Sequence, residues 1–546
     1  MAFSFYTRLA DLKKAENIVW DIIVIGGGIT GAGILLDAQS RGLNALLVEK
    51  EDFAWGTSSR STKLIHGGLR YLKQMDFRLV REVGKERAIV HKNARNLVCP
   101  ERMLLPIYSD GSLGWGLTSL GLKVYDWLAG VPKDEQRKML SAEKTLLHEP
   151  LLKKDNLKGG GLYYEYRTDD ARLTISVIKT ACQQGAIALN HAEVKEFTYN
   201  NEGVIDGIQL IDHIHAKQHT LRSKVVINAA GPWVDDVRNL QKKTTDSQLF
   251  LTKGIHIVVD REKLPIQQSA YFDAIDQRMM FAIPRENVVY IGTTDTPYND
   301  DVNQPCPTQH DVDYILQSTL RMFPDYPLEE KDIQSTWSGL RPLIHQKGKK
   351  PSELSRRDEI FESKDGLLSI AGGKLTGYRK MAERIVNRAQ RVIGKRLACQ
   401  TKNLVLHGQG FDSTSDVQQL CRRVNAMIKG PNYIGARLVH LYGHFATDII
   451  ERAQEMSSIE GDGDLSLSAL LQAELEYTIE HERVCSLSDF VIQRSGMLYF
   501  NRAWINQYQE LLKKTIADHV QDIPADFTDA QEAHFQKAYQ RVLVFR

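Results

Sequence analysis

The sequence predicts an α/β protein that ends in an all-α region. Three observations predict it. A β-branched strand run passes through closely spaced glycines into a helix near residue 25. Two further strand-to-glycine transitions stand near residues 228 and 371. Beyond about residue 390, apolar residues fall at helical intervals. At 546 residues the chain exceeds one hydrophobic core, because domains usually hold about 100–200 residues, so two or three domains are expected.

The first element is Asp21-Ile22-Ile23-Val24-Ile25, a short apolar run that reads as a buried parallel strand. Gly26-Gly27-Gly28-Ile29-Thr30-Gly31 follows at once, and residues 32–40 read as a helix. Gly26 permits a tight turn, Gly28 lets the backbone approach a pyrophosphate, and Gly31 allows close helix–strand packing. The helix N-terminus then faces the phosphates. A second strand at residues 45–48 ends in Glu49, whose carboxylate suits a ribose diol. Strand, glycines, helix, strand and acid in register describe a Rossmann-like dinucleotide-binding unit.

Three later segments favour FAD over NAD as the dinucleotide. Residues 55–72 (WGTSSRSTKLIHGGLRYL) form a polar, glycine-containing loop. Residues 225–233 (VVINAAGPW) run from a strand into small residues and glycine. Residues 367–378 (LLSIAGGKLTGY) repeat strand, glycine pair and helix start. A second helix N-terminus aimed at one ligand suits a long dinucleotide.

With these segments in hand, the sequence resembles the FAD-dependent glycerol-3-phosphate dehydrogenases of the aerobic, membrane-associated type. The resemblance is carried by IIVIGGGITGAGILLDAQSRG, TSSRSTKLIHGGLRYL, INAAGPWVDDV, KGIHIVV, IGTTDT, GLRPL, SRRDEI and AGGKLTGYRKMAE, in family order from about residue 20 to 385. It implies a glycine-oxidase-like flavoprotein fold and cofactor contacts at Gly26, Gly28, Gly31, Glu49, Thr57, Ser58, Ser61, Leu64, Gly231, Gly373, Leu375 and Thr376. It also implies a backbone contact from Val194 on the adenine side. The expected FAD-binding domain is discontinuous (residues 20–95, 160–235 and 355–390) and interleaved with a mixed-sheet substrate domain (96–159 and 236–354). Residues 391–546 match the family's helical domain with less distinctive motifs.

A small phosphorylated alcohol fits the residue chemistry as well. A phosphate monoester carries about two negative charges near neutral pH. Arg grips phosphate oxygens bidentately and Lys supplies a point charge. Arg70, Arg341, Arg357 and Lys374 lie in or beside turns and polar loops of the matching segments, and Tyr71 adds a hydroxyl. The opposing reading is that they are surface cations, as most Arg and Lys are. Oxidation of the alcohol requires hydride transfer to the flavin and loss of the hydroxyl proton. His256, in an apolar strand-like run, is the expected base, and His66 the expected flavin or substrate contact. A buried structural histidine is the competing reading for each. Thr294 and Asp295 are expected to orient the histidine or the flavin, or to cap a turn.

Composition excludes several classes. Hydrophobic content of 42% with 25% charged residues is that of a soluble globular protein, and a net charge of +2 gives no global sign of nucleic-acid binding. The six cysteines (Cys99, Cys182, Cys306, Cys399, Cys421 and Cys485) form no CxxC pair, so neither a zinc site nor a redox dithiol is indicated. With no signal peptide read at the N-terminus, a reducing cytoplasmic compartment is expected.

The longest apolar stretch, residues 104–129, is interrupted by Ser109, Asp110, Ser119 and Lys123. It reads as a buried helix, or as an interfacial one presenting Trp115, Leu117, Leu120, Leu122 and Trp127 to a bilayer. The charged helix from Arg78 to Arg95 reads as a solvent face or a lipid contact.

Residues 163–183 show helix-compatible spacing, and helical patterns span 436–454 and 467–485. EGDGDL at 460–465 lacks the calcium-loop pattern. Glu474, Glu476, Glu480, His481 and Glu482 read as a solvated helix face, since no paired Glu-x-x-His repeat marks a metal site.

The expected reaction is oxidation of sn-glycerol 3-phosphate to dihydroxyacetone phosphate, with membrane quinone as electron acceptor and peripheral attachment to the inner face of the cell membrane. Oxygen as acceptor, a related flavoprotein acting on a hydroxy acid or amine, and a flavin-binding redox sensor are the alternatives. A homodimer is compatible with the sequence.

Overall fold

The strand Val19–Ile25 is buried from Trp20 onward, as a run of β-branched residues in a parallel sheet should be. It pairs in parallel with Ala45–Val48 on one side and Lys217–Asn228 on the other, so that Ile22 lies opposite both Ala45 and Val225. The computed structural model describes residues 3–66, 77–112, 114–129, 131, 135–241, 249–344, 358–428, 431, 433–459 and 465–545. Among these, the sheet runs Asp358–Glu362, Leu368–Gly372, Lys217–Asn228, Val19–Ile25, Ala45–Val48, Ile187–Leu189. An antiparallel meander of Ala192–Tyr199 and Ile205–Asp212 joins at Lys217–Asn228. The helices Ile29–Ser40, Asp170–Gln183 and Tyr378–Val392 pack on one face, where Leu35, Val177 and Ile385 meet Val24 and Ile227.

The second sheet is built around Leu249–Asp260, which lies between Ile333–Ile344 and Val288–Gly292. Its outer path continues through Met279–Arg285, Ser269–Asp273, Cys99–Tyr108, Leu157–Arg167 and Leu64–Ile65. Ser269–Asp273 runs parallel to Cys99–Tyr108 and the remaining pairs are antiparallel, so the sheet is mixed. Side chains alternate along Leu249–Asp260. Ile255, Ile257 and Val259 enter one core with Val312 and Ile315 of the helix Gln309–Met322, while Val258 faces the C-terminal helices.

Three expectations change. The chain crosses between sheets after Arg167, and residues 163–167 are strand; the helix begins at Asp170, where Asp169 caps it by accepting from Arg172 N. The pattern at 436–454 is two helices, Tyr433–Tyr442 and Ala446–Ile459, broken near Gly443 at a φ of 62°. The glutamate cluster on Leu467–Glu482 is largely interior. Glu474 pairs with Arg437 at 2.9 Å, and Glu482 pairs with Arg172 and lies 3.5 Å from Lys179. Burial of these carboxylates is tolerated because each meets a guanidinium. Only residue 465 of the EGDGDL segment is described.

In the helix Phe77–Asn93, Arg78, Arg81, Lys85 and Lys92 are exposed, while Arg87 is buried against Glu165.

Candidate active site

Two adjoining cavities of about 300 and 260 Å³ extend from the carboxyl ends of the parallel strands into the second sheet. They share Ile29, Thr57, Ser58, Lys374 and Leu375 in their walls, so they form one cleft. The ends of parallel strands are where open α/β sheets bind ligands.

The first cavity is shaped by glycine. Gly26 has a φ of 111°, and a Cβ there would lie 2.6 Å from the Ala229 carbonyl oxygen. A Cβ at Gly31 would collide with the Gly26 carbonyl. The helix Ile29–Ser40 therefore starts flush against its strand, with Gly28, which has no side chain, at its N-cap. Its first-turn amides and dipole point to an anion site. Ser58 Oγ accepts from Ile29 N at 2.9 Å.

Glu49 accepts from Gly27 N at 2.6 Å and from Glu51 N at 3.0 Å. Burial raises its carboxyl above the usual range, and the two amides oppose that rise. Val194, Gly231 and Trp233 complete the wall. A cradle that a Cβ would fill, a helix start led by glycine and a fixed carboxylate fit an extended dinucleotide.

The second cavity brings together Ser61, Leu64, His66, His256, Arg341, Gly373, Lys374, Leu375 and Thr376. Thr57 Oγ1 donates to Leu340 O at 2.7 Å, and Thr376 Oγ1 donates to His66 O at 3.1 Å. These bonds fasten the distant chain segments to one another. His256 projects from Leu249–Asp260 and is 1% exposed. Its Nε2 is 3.1 Å from Thr62 Oγ1, and its Nδ1 is buried without a hydrogen-bond partner among the described residues. A side chain at Gly292 would occupy the imidazole's space. Burial holds His256 well below the usual histidine range, with the charges of Arg341 and Lys63 adding to the effect. It is therefore neutral near pH 7.

Arg341, on Ile333–Ile344, lies over Gly254, where a Cβ would clash with the guanidinium. It donates to Thr294 O at 3.1 Å, Asp295 Oδ1 at 3.3 Å and Thr293 Oγ1 at 3.0 Å. Thr294 and Asp295 thus hold the arginine; neither has a hydrogen bond to His256 among the described residues. Arg70, Tyr71 and Arg357 lie outside the described residues, so of the four expected cations Arg341 and Lys374 are placed together in the cleft.

Several lining residues escaped the sequence reading. Arg60 and Thr62 belong to the same polar loop and face the second cavity. Lys63 is buried beside it, 2.5 Å from Asp170 and 3.8 Å from Asp169. Burial alone would push Asp169 up, but Lys63 and Arg285 outweigh it and hold the carboxyl at about 2. Tyr271 and Phe281 stack at 4.3 Å across neighbouring strands and give the cavity an apolar wall. Their sequence signal is only the alternation of two short strands.

The comparisons with known proteins agree along the chain. A family model described as FAD dependent oxidoreductase matches residues 21–379, and one described as the C-terminal domain of alpha-glycerophosphate oxidase matches residues 399–522. The aerobic glycerol-3-phosphate dehydrogenase of Staphylococcus haemolyticus (strain JCSC1435) is 46% identical over 550 residues, covering 98% of this chain and 96% of that protein. Its namesake from Staphylococcus aureus (strain USA300) is 45% identical over 555 residues, covering 99% and 98%. The solved structure of the glycerol-3-phosphate dehydrogenase from Bacillus halodurans complexed with FAD superposes with a TM-score of 0.83 at 38% identity, covering 100% of this chain and 99% of that one. The glycine cradle, the cleft beside it and the helical C-terminal region therefore have one explanation: this chain belongs to the aerobic glycerol-3-phosphate dehydrogenase family of FAD-dependent oxidoreductases.

Proposed function

We propose that the chain oxidises sn-glycerol 3-phosphate to dihydroxyacetone phosphate and passes the electrons to a membrane quinone. The observation that carries this reading is the presence of Arg341 and His256 in one cavity that adjoins the nucleotide cradle. Bound FAD supplies the two-electron acceptor. Arg341 is fixed by three oxygen acceptors and offers a preset planar cation for a phosphate, with Lys374 as a second charge. His256 is neutral and takes the hydroxyl proton. Tyr271, Met279 and Phe281 limit water beside the reacting carbon. The names of the full-length relatives support the same substrate.

Among the described residues no helix is long and apolar enough to cross a membrane. Access to quinone then calls for peripheral docking at the inner face of the cell membrane. Trp115–Ala129 is the segment we assign to it, on the strength of Trp115, which is 41% exposed; Leu122, expected to reach the bilayer, is instead fully buried in the protein.

Anaerobic mixing tests the substrate: sn-glycerol 3-phosphate should bleach the flavin, while glycerol and lactate should leave it oxidised. Reoxidation of the reduced enzyme tests the acceptor. Fast reaction with a short-chain quinone is expected, and fast reaction with oxygen alone would make the protein an oxidase.

A further inference from the structure

A third cavity, of about 330 Å³, adjoins the other two, and the reaction proposed above gives it no task. Its walls come from residues 51–60, residues 303–307, the strand Ile333–Ile344 and the last helix, Ala525–Arg541. Ala530, Ala533, His534, Lys537, Ala538 and Arg541 fall on one face of that helix. The alanines leave room, and the other three supply polarity. Trp55, Trp337 and Tyr499 give the cavity an aromatic side.

The charges in this cavity do not balance. Arg60 carries its guanidinium over the Trp55 ring, 5.1 Å from the centroid. Arg541 donates to Gln304 Oε1, a neutral acceptor that also lines the cavity, and Lys537 is exposed. None of these three cations forms an ion pair with a carboxylate among the described residues. Glu51 is the one acid among the described lining residues, which leaves an excess of two positive charges. Burial holds His534 below the usual histidine range, so it enters as a neutral hydrogen-bonding group near pH 7. Like charges gathered in one cavity repel, and a bound anion relieves that repulsion.

A phosphate monoester carries about two negative charges near neutral pH, which matches the excess; a monocarboxylate would cancel only part of it. The aromatic side suits a short carbon body. We propose that this cavity is a second phosphate-monoester site, distinct from the one at Arg341, and that its occupant weakens substrate binding. Two shared walls carry the coupling. Arg60 lines both this cavity and the substrate cavity, and Trp337, which lines this one, stacks on His256 with ring centroids 4.7 Å apart. Negative charge beside Arg60 lowers the positive potential that draws an anionic substrate into the neighbouring cavity. The coupling rests on the reading of Arg341 as the substrate's phosphate clamp; the binding itself does not.

The test is isothermal titration of oxidised holoenzyme with methyl phosphate at low ionic strength, in wild type, Lys537→Gln, Lys537→Gln/Arg541→Gln and Arg341→Ala. Wild type should take up two equivalents. The double variant, with flavin content and kcat at the wild-type level, should have its second site weakened at least about 10-fold by the loss of two charge-assisted contacts. Lys537→Gln alone, at an exposed position, should weaken it in part, and Arg341→Ala should leave it intact. In steady-state turnover, apparent KM plotted against methyl phosphate should curve upward in wild type and run straight in the double variant. A single equivalent in wild type that Arg341→Ala abolishes would overturn the second site and leave the substrate reading standing. Two undiminished equivalents in the double variant would overturn its location. A straight wild-type plot beside two equivalents would overturn the coupling alone. Two undiminished equivalents in Arg341→Ala would overturn the phosphate clamp, and the coupling with it, while the second site stood. Equal uptake of succinate would overturn the phosphate class. Binding to vesicles of phosphatidic acid with no heat from methyl phosphate would overturn a soluble ligand.

Discussion

The imidazole of His256 lies flat against the indole of Trp337, with ring centroids 4.7 Å apart and planes inclined by 16°. The two residues face each other across paired strands, His256 opposite Trp337 in the register of Leu249–Asp260 with Ile333–Ile344. Strand pairing therefore fixes the ring's plane, and hydrogen bonding needs only to fix its proton.

Replacement of His256 by Asn should lower the limiting rate of anaerobic flavin reduction by about 10²- to 10⁴-fold, the usual share of a general base, with flavin still bound. Because burial, Arg341 and Lys63 depress the imidazole's pKa from 6.5, the base form persists below that pH. The acid limb of the wild-type rate profile should accordingly lie below pH 6.5. The same depression has a stability consequence. Between the folded value and 6.5 the unfolded chain binds a proton that the folded chain does not, so stability should fall as pH drops through this window. Thermal unfolding at stepped pH should show the His256 contribution missing in the Asn variant.

Arg341→Ala should weaken apparent substrate affinity by roughly 10- to 100-fold, the equivalent of one or two charge-assisted hydrogen bonds, while the flavin spectrum is retained. Arg341→Lys should recover only part of it, since an ammonium cannot reproduce a planar fork. Steady-state kinetics at low substrate give the answer, and normal turnover there would remove Arg341 from phosphate binding.

Gly31→Val should yield protein without flavin. Any Cβ at this position meets the Gly26 carbonyl, and the helix start must lift from the strand to relieve it. The ratio of flavin to protein absorbance in purified material measures the loss. Retention of stoichiometric FAD would mean that the helix can shift without spoiling the cradle.

Glu482 provides an acid-sensitive tie between the nucleotide layer and the helical region. Burial alone would raise its carboxyl from 4.5, but Arg172 and Lys179 outweigh burial and hold it at about 2. Its stabilising contribution is complete above pH 4.5 and is lost as pH falls toward 2. Glu482→Gln should lower stability at neutral pH by about 3 kcal/mol, the cost of leaving a buried cation unpaired. It should also flatten the pH dependence of unfolding between 4.5 and 2, which urea titrations at stepped pH would reveal.

The nucleotide end was legible because its chemistry is local. Gly26, Gly31 and Glu49 are fixed by one strand–turn–helix–strand unit, and their spacing alone conveys the cradle. His256 and Arg341 stood in motifs, but their convergence depends on the pairing of two strands about 80 residues apart, which no local pattern specifies. The start of the helix at Asp170 was missed because residues 163–167 satisfy helical spacing while pairing with Cys99–Tyr108. The glutamates of Leu467–Glu482 were misread for a similar reason. A carboxylate that meets Arg437 or Arg172 from another segment carries the same letter as one that meets water.

The loop from Thr57 to Ile65 begins on the nucleotide helix, where Ser58 meets Ile29, and ends as a strand of the second sheet, where Leu64 pairs with Arg167. One stretch of nine residues therefore builds a wall of both cavities. For protein engineering this makes the two halves poor modules. A chimera that exchanges the substrate sheet for that of another flavoenzyme must carry its own version of residues 57–65 and re-match it to Ile29 and Asp170. Altered substrate range is more readily sought at Tyr271, Met279 and Phe281, whose strands can vary without rewriting the nucleotide cradle.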